Sequence, residues 1–304
     1  MASAALAQAS GAAEVRLKLE HLQPTGSFKV RGAESRIAAI AAEGAATRLI
    51  TASSGNHGIA VARAAARHGL PVTILVGGSV SPAKLEHLRE METDTCTVEI
   101  FGRDTDDTEP EARRRHNLGA ATYVAPYNDP QVVAGQGTIG MELLEDWPEV
   151  DTVVVPVGGG GLISGIGLWM KAINPAIRLV GVQPEASPPM ADFLITGRAK
   201  PVVIGPTLAD GVAGNVERGS ITFRLVKRLV DEVVLVDEDT TAAAMRWAWS
   251  SLHYRLEGSG ALGIAALLDQ KLGPLDDRRV AVVISGGNVD EATVEAVLTD
   301  SMQP

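Results

Sequence analysis

The sequence holds one cysteine, Cys96, in 304 residues. An intramolecular disulfide is therefore excluded, and the chain suits a reducing compartment, the cytoplasm. Long apolar runs are missing too: none reaches the roughly 18 residues that span a bilayer. Residues 1–13 lack the basic-then-apolar order of a secretory signal, so no membrane partner is expected. Positive charge is in the minority, with 27 Lys and Arg against 37 Asp and Glu and a net charge of −10. Nucleic-acid phosphates need clustered cations, and the run Arg113-Arg114-Arg115 is short and flanked by acids; it reads as a solvated helix face, and a nucleic-acid partner is excluded. His21, His57, His68, His87, His116 and His253 keep no metal-ligand spacing with cysteine or carboxylates, so no metal site is expected.

What is present is a chain with 45% hydrophobic residues, enough for a sizeable core. Strand-like runs at 15–20, 48–53, 72–76, 97–101, 122–124, 152–156, 178–183, 232–236 and 280–284 alternate with helical patterns. The helices fall at 34–46, 56–67, 82–91, 109–118 (after an acidic loop), 136–144, 162–172, 187–196, 220–229, 240–254 and 261–271. Such alternation predicts an α/β protein built of open, mostly parallel sheets covered by helices. Ligands then belong at the carboxyl ends of the strands. So many βα units exceed one ordinary sheet, which predicts two lobes, one of residues 1–47 with 129–304 and a smaller one of 48–128.

Four stretches carry chemistry. In Gln23-Pro24-Thr25-Gly26-Ser27-Phe28-Lys29-Val30-Arg31-Gly32, a lysine follows an aromatic residue among turn formers. Desolvation or nearby positive charge frees a lysine amine to condense with an aldehyde, whereas a surface lysine at a helix start needs neither; these residues alone leave both readings open. Val155-Pro156-Val157-Gly158-Gly159-Gly160-Gly161-Leu162 runs from a strand through four glycines into a helix, a phosphate cradle made of backbone amides that lacks the Gly-Lys-Ser/Thr of a P-loop. Thr51-Ala52-Ser53-Ser54-Gly55-Asn56-His57-Gly58 is a second strand-to-helix junction, rich in donors, that reads either as an ordinary N-cap or as a carboxylate nest. Finally, Val283-Ile284-Ser285-Gly286-Gly287 ends a strand in a hydroxyl and two glycines.

Together with Pro126-Tyr127-Asn128-Asp129-Pro130, Ala134-Gly135-Gln136-Gly137-Thr138 and Leu208-Ala209-Asp210-Gly211-Val212, in this order, the chain resembles the threonine/serine dehydratase family of pyridoxal-phosphate enzymes. That group shares fold type II with the tryptophan synthase β subunit. The resemblance implies a strand-borne Lys29 that condenses with the cofactor aldehyde, with Phe28 packed beside the ring. It implies Asn56 on the cofactor's phenolic oxygen, Gly158, Gly159, Gly160, Gly161 and Leu162 on its phosphate, and Ser285 on its pyridine nitrogen. Ser53, Asn56 and His57 would take the substrate carboxylate, and Ser54 would act as acid or base on the face opposite the lysine. The 1–47 and 129–304 lobe becomes the cofactor-binding domain and 48–128 the domain that closes on substrate.

A serine at the pyridine nitrogen stabilises a pyridinium less than a carboxylate does, which favours loss of a β-hydroxyl over transamination. The implied reaction is dehydration and deamination of L-threonine, L-serine or another small hydroxy amino acid to a 2-oxo acid and ammonia, by a homodimer. Dehydration of 3-hydroxyaspartate or a hydroxyectoine-derived compound, racemisation, and a non-catalytic sensor on the same scaffold are the alternatives. Gln183 and Pro189 stand where acidic cation ligands occur in some relatives, and Gly258, in the loop Glu257-Gly258-Ser259-Gly260-Ala261, stands where proline is common.

Overall fold

The computed structural model describes residues 1–44 and 48–299. The predicted helix end at residue 46 and the lobe limits at residues 47 and 304 lie outside them. The chain divides into two compact units, Met1–Ser27 with Gln136–Pro304, and Phe28–Gly135.

The first unit is organised on a five-stranded parallel sheet. Its strands are β1 (Glu14–Leu19), β6 (Thr152–Pro156), β7 (Arg178–Pro184), β8 (Glu232–Val236) and β9 (Arg279–Ile284), in the order β1-β9-β6-β7-β8. β6, Thr-Val-Val-Val-Pro, is buried throughout, as expected of a strand covered on both faces. Helices α1 (Ala4–Ser10), α7 (Gly161–Ile173), α8 (Pro189–Thr196), α9 (Ile221–Leu229), α10 (Glu238–Leu252), α11 (Gly258–Leu268) and α12 (Glu291–Thr299) belong to it. α11 is buried from Gly258 to Leu267. At Gly263 a β-carbon would lie 2.5 Å from Val282 Cγ1, so only glycine lets α11 come this close to β9.

The second unit carries β2 (Leu49–Ala52), β3 (Val72–Val76), β4 (Cys96–Ile100) and β5 (Thr122–Tyr123) in a parallel sheet ordered β4-β3-β2-β5. Around it lie α2 (Lys29–Glu43), α3 (Asn56–Arg67), α4 (Pro82–Arg89) and α5 (Thr105–Asn117), while α6 (Pro130–Asp146) runs across the second break in the chain. Ala33, Ile37 and Ile40 of α2 share one apolar core with Ala60, Val61, Ala64 and Ala65 of α3. That packing draws α2 into this unit, so the breaks fall after Ser27 and Gly135, whereas the strand and helix pattern put them near residues 48 and 128. Two parallel sheets covered by helices are the predicted α/β class. Among the described residues no helix is long and apolar enough to cross a membrane.

Candidate active site

In the unit formed by residues 28–135, Lys29 is the first residue of α2, not part of a strand. β1 ends at Leu19, and the chain then turns through Gly26, at φ 69°, whose hydrogen no side chain could replace: a β-carbon there would sit 2.1 Å from Asn288 Oδ1. Ser27 bridges to Gly286, and two residues later the helix opens on the lysine. Lys29 is half-buried; its Nζ donates to the Pro126 carbonyl at 3.1 Å and stands 5.2 Å from the centre of the Phe28 ring.

The donor-rich loop follows β2. The Gly55 N–H donates to Ser53 Oγ at 3.2 Å, closing a tight turn, and α3 begins at Asn56 with Gly55 as an N-cap that has no side chain to accept the first amides. Ser53, Ser54 and Asn56 are half-buried. A β-carbon at Gly58 would meet the Ser53 carbonyl at 2.8 Å, so glycine there lets the turn fold onto its own helix. His57 turns inward: its Nε2 donates to the Val124 carbonyl at 3.0 Å, and Thr51 Oγ1 donates to the same oxygen at 2.9 Å. Burial first, then the charge of Lys29, hold the imidazole down to about 3, against the opposing effect of the Val124 bond. A neutral ring committed to a main-chain carbonyl is neither a base nor a cation, so what His57 offers a carboxylate is its backbone N–H in the first turn.

The other unit holds the glycine cradle. After β6 the chain passes Gly158, Gly159 and Gly160, the last at φ 82°, and α7 starts at Gly161 with no acidic residue in its first turn and no side-chain cap. A β-carbon at Gly158 would lie 3.0 Å from Val212 Cα, and one at Gly160 would lie 2.9 Å from Met190 Cε. Leu162 is buried behind the cradle. Gln183 is fully buried with both polar atoms of its side chain bonded: Nε2 donates to the Val157 carbonyl at 3.0 Å, and Oε1 accepts from Met190 N–H at 3.1 Å and Ala191 N–H at 3.0 Å. It caps α8 and braces the residue that enters the cradle. Among the described residues no group of three or more His, Cys, Asp or Glu could hold a metal ion.

Ser285 follows β9, the parallel sheet neighbour of β6, so hydroxyl and cradle lie at the carboxyl end of one sheet. Its Oγ donates a long bond, 3.4 Å, to the Ser259 carbonyl. Residues 258–261 are the first turn of α11, not a loop; Gly258 packs so closely on the Leu208 carbonyl that a β-carbon would fall 2.2 Å away. Ser259 Oγ is buried without a hydrogen-bond partner. An uncapped cradle of amides and buried hydroxyls at one sheet end fit a phosphate-bearing heterocycle. The sequence reading missed Thr51, the Pro126 carbonyl and Ser259, although each lies within or beside a stretch it singled out.

Comparison with known proteins agrees with this geometry. The family model described as pyridoxal-phosphate dependent enzyme matches residues 1–286. An L-threonine ammonia-lyase of Thermotoga maritima is 41% identical over 300 residues, 99% of this chain and 73% of its own. A serine racemase of Oryza sativa subsp. indica is 34% identical over 277 residues, 90% of this chain and 80% of its own. The structure of maize serine racemase superposes with a TM-score of 0.90 at 32% identity, covering 99% of this chain and 91% of that one. The protein belongs to the pyridoxal-phosphate dependent enzyme family.

Proposed function

We propose that this protein is an ammonia-lyase that dehydrates and deaminates a small hydroxy amino acid of the threonine or serine type. The observation that carries the reading is the likeness to the Thermotoga L-threonine ammonia-lyase along almost the whole chain. Pyridoxal phosphate, when bound, supplies an electron sink for the bond broken at Cα. Gly158, Gly159, Gly160, Gly161 and Leu162 would hold its phosphate through backbone amides, Ser285 would bond the pyridine nitrogen, Asn56 the phenolic oxygen, and Phe28 would pack beside the ring.

Lys29 would supply the amine that tethers the cofactor, and its Nζ would accept the substrate's Cα proton. The Pro126 carbonyl orients that nitrogen. Ser53, Asn56 and the His57 backbone N–H bind the substrate carboxylate at the start of α3. The Cα–H and Cβ–O bonds break, the elements of water leave, and hydrolysis then releases ammonia and a 2-oxo acid. The Lys29→Ala variant, mixed with pyridoxal phosphate, is expected to lose both the visible absorbance of the wild type and ammonia release. Normal turnover by that variant refutes the assignment.

The serine racemase likeness favours a second reading, in which Ser54 exchanges a proton on the face opposite Lys29. Both enantiomers of a panel of hydroxy amino acids, assayed in parallel for 2-oxo acid and inverted amino acid, separate the two: racemisation without ammonia release would overturn the lyase. The single, buried Cys96 supports a cytoplasmic location, and family membership supports a homodimer; sedimentation at the monomer mass would exclude the latter.

A further inference from the structure

Two buried hydroxyls near the cradle, those of Ser164 and Ser259, have no partner and no part in the assignments above, and of the two it is Ser259 whose carbonyl accepts the Ser285 hydroxyl. The first turn of α11 is wedged between two stretches of backbone. Gly258 faces the Leu208 carbonyl, and a β-carbon at Gly260 would fall 2.1 Å from the Gly286 carbonyl. Between these glycines Ser259 alone has a side chain. It is 2% exposed, and its Oγ has neither donor nor acceptor within reach.

The surroundings say what belongs there. A β-carbon at Gly211 would lie 2.9 Å from Ser259 Oγ, and the next residue, Val212, is the one against which Gly158 packs. On the other side the Ser259 carbonyl accepts the Ser285 hydroxyl. Ser259 therefore stands between the segment that backs the phosphate cradle and the hydroxyl at the end of β9. A buried hydroxyl with no partner destabilises the protein that carries it and calls for an explanation, and a ligand that completes the bond supplies one.

We propose that Ser259 is a further cofactor-binding residue, whose hydroxyl, beside that of Ser285, makes its hydrogen bond to the polar edge of the bound pyridoxal ring. The proposal rests on the reading of residues 158–162 and Ser285 as cofactor contacts. It makes the ring's seat a pair of neutral hydroxyls, which bond the heterocycle without adding charge.

The test compares wild type and Ser259→Ala, each with and without pyridoxal phosphate. Alanine suits the first turn of a helix and removes only the oxygen. Without cofactor the variant is expected to unfold about 2 °C higher, because the unpaired hydroxyl is gone. With cofactor the order narrows or reverses, and affinity for pyridoxal phosphate, titrated by quenching of tryptophan fluorescence, falls about fivefold or more. Equal affinity in the two proteins overturns the proposal, since the hydroxyl then stays unpaired in both states. A lower midpoint for the cofactor-free variant also overturns it, since the hydroxyl then has a partner inside the protein. A wild type that takes up no pyridoxal phosphate, with no visible absorbance, sinks the reading of the cradle itself, whereas uptake by wild type with no change in Ser259→Ala sinks only Ser259.

Discussion

Replacing His57 by glutamine should flatten the acid limb of the stability curve. The imidazole is fully enclosed and gives its proton to the Val124 carbonyl, and it titrates near 3 in the folded protein. In the unfolded chain a histidine titrates near 6.5. Above that pH both states are neutral at this position, and His57 contributes no pH dependence. Between about 6.5 and 3 the unfolded state carries a proton that the folded state refuses, so each pH unit of acidification costs about 1.4 kcal/mol. From pH 6.5 to 5.0 the wild type should lose about 2 kcal/mol more than His57→Gln, a large part of a typical stability of about 5–15 kcal/mol. Glutamine can still donate to Val124 and does not titrate. His21, also lowered by burial, is present in both proteins and cancels in the difference. The assay is urea unfolding followed by far-ultraviolet circular dichroism, because Trp147, Trp169, Trp247 and Trp249 all lie in the other unit. Parallel curves for the two proteins refute the neutral, enclosed imidazole.

Substitutions at two further positions probe the cradle. Gly160→Ala forces a left-handed residue to carry a β-carbon, about 1–2 kcal/mol, and crowds Met190, Thr222 and Val226, about 1–3 kcal/mol more; urea unfolding should show the loss, and a pyridoxal phosphate titration should show weaker binding. Unchanged affinity would place the phosphate elsewhere. Gln183→Leu leaves the Val157 carbonyl and two α8 amides unpaired, at about 1–3 kcal/mol per group, while Gln183→Glu, with its carboxyl protonated in acid, keeps both acceptor and donor and should lose less there. Equal losses in the two variants would show that capping α8 is not what Gln183 does.

Strands β3, β6 and β8 and helix α3 were legible to the residue, since runs such as Val-Thr-Ile-Leu-Val and an alanine-rich helix closed by His68-Gly69 carry their own boundaries. Elements whose limits depend on partners were not. The helix opening at Lys29 has Phe28 as its N-cap, which gives no capping signature, so the pattern started it five residues late. α5 begins inside a run that reads as an acidic loop and contains Pro110; Glu109 with Arg113 and Glu111 with Arg114 and Arg115, pairs one turn apart, hold it helical. α12, with no glycine or proline start, was missed altogether. The chemistry-bearing stretches stood out because glycines and hydroxyls at strand ends are expensive without a purpose. The direction of the His57 ring did not, because it depends on Thr51 and Val124 meeting across the sheet.

The capping pattern explains how a chain of net charge −10 can be built for anions. Ser3, Ser81, Ser220 and Asp237 cap α1, α4, α9 and α10 with their side chains, Asp129 and Asp290 accept amides of α6 and α12, and Gln183 those of α8. α2, α3, α7 and α11 instead begin behind Phe28, Gly55, Gly160 and Glu257, none of which makes a side-chain cap bond, and none of the four has an acid in its first turn. Those four helices carry Lys29, Asn56, Leu162 and Ser259. The starts of α2, α3 and α7, which have no carboxylate at the cap either, each keep about half a unit of positive charge from aligned peptide dipoles, at short range and at every pH, which a lysine or arginine could match only by adding a mobile side chain. Surface acids can then set the net charge without repelling an anion brought to such a helix start, because the groups that would hold it are main-chain amides fixed by the fold.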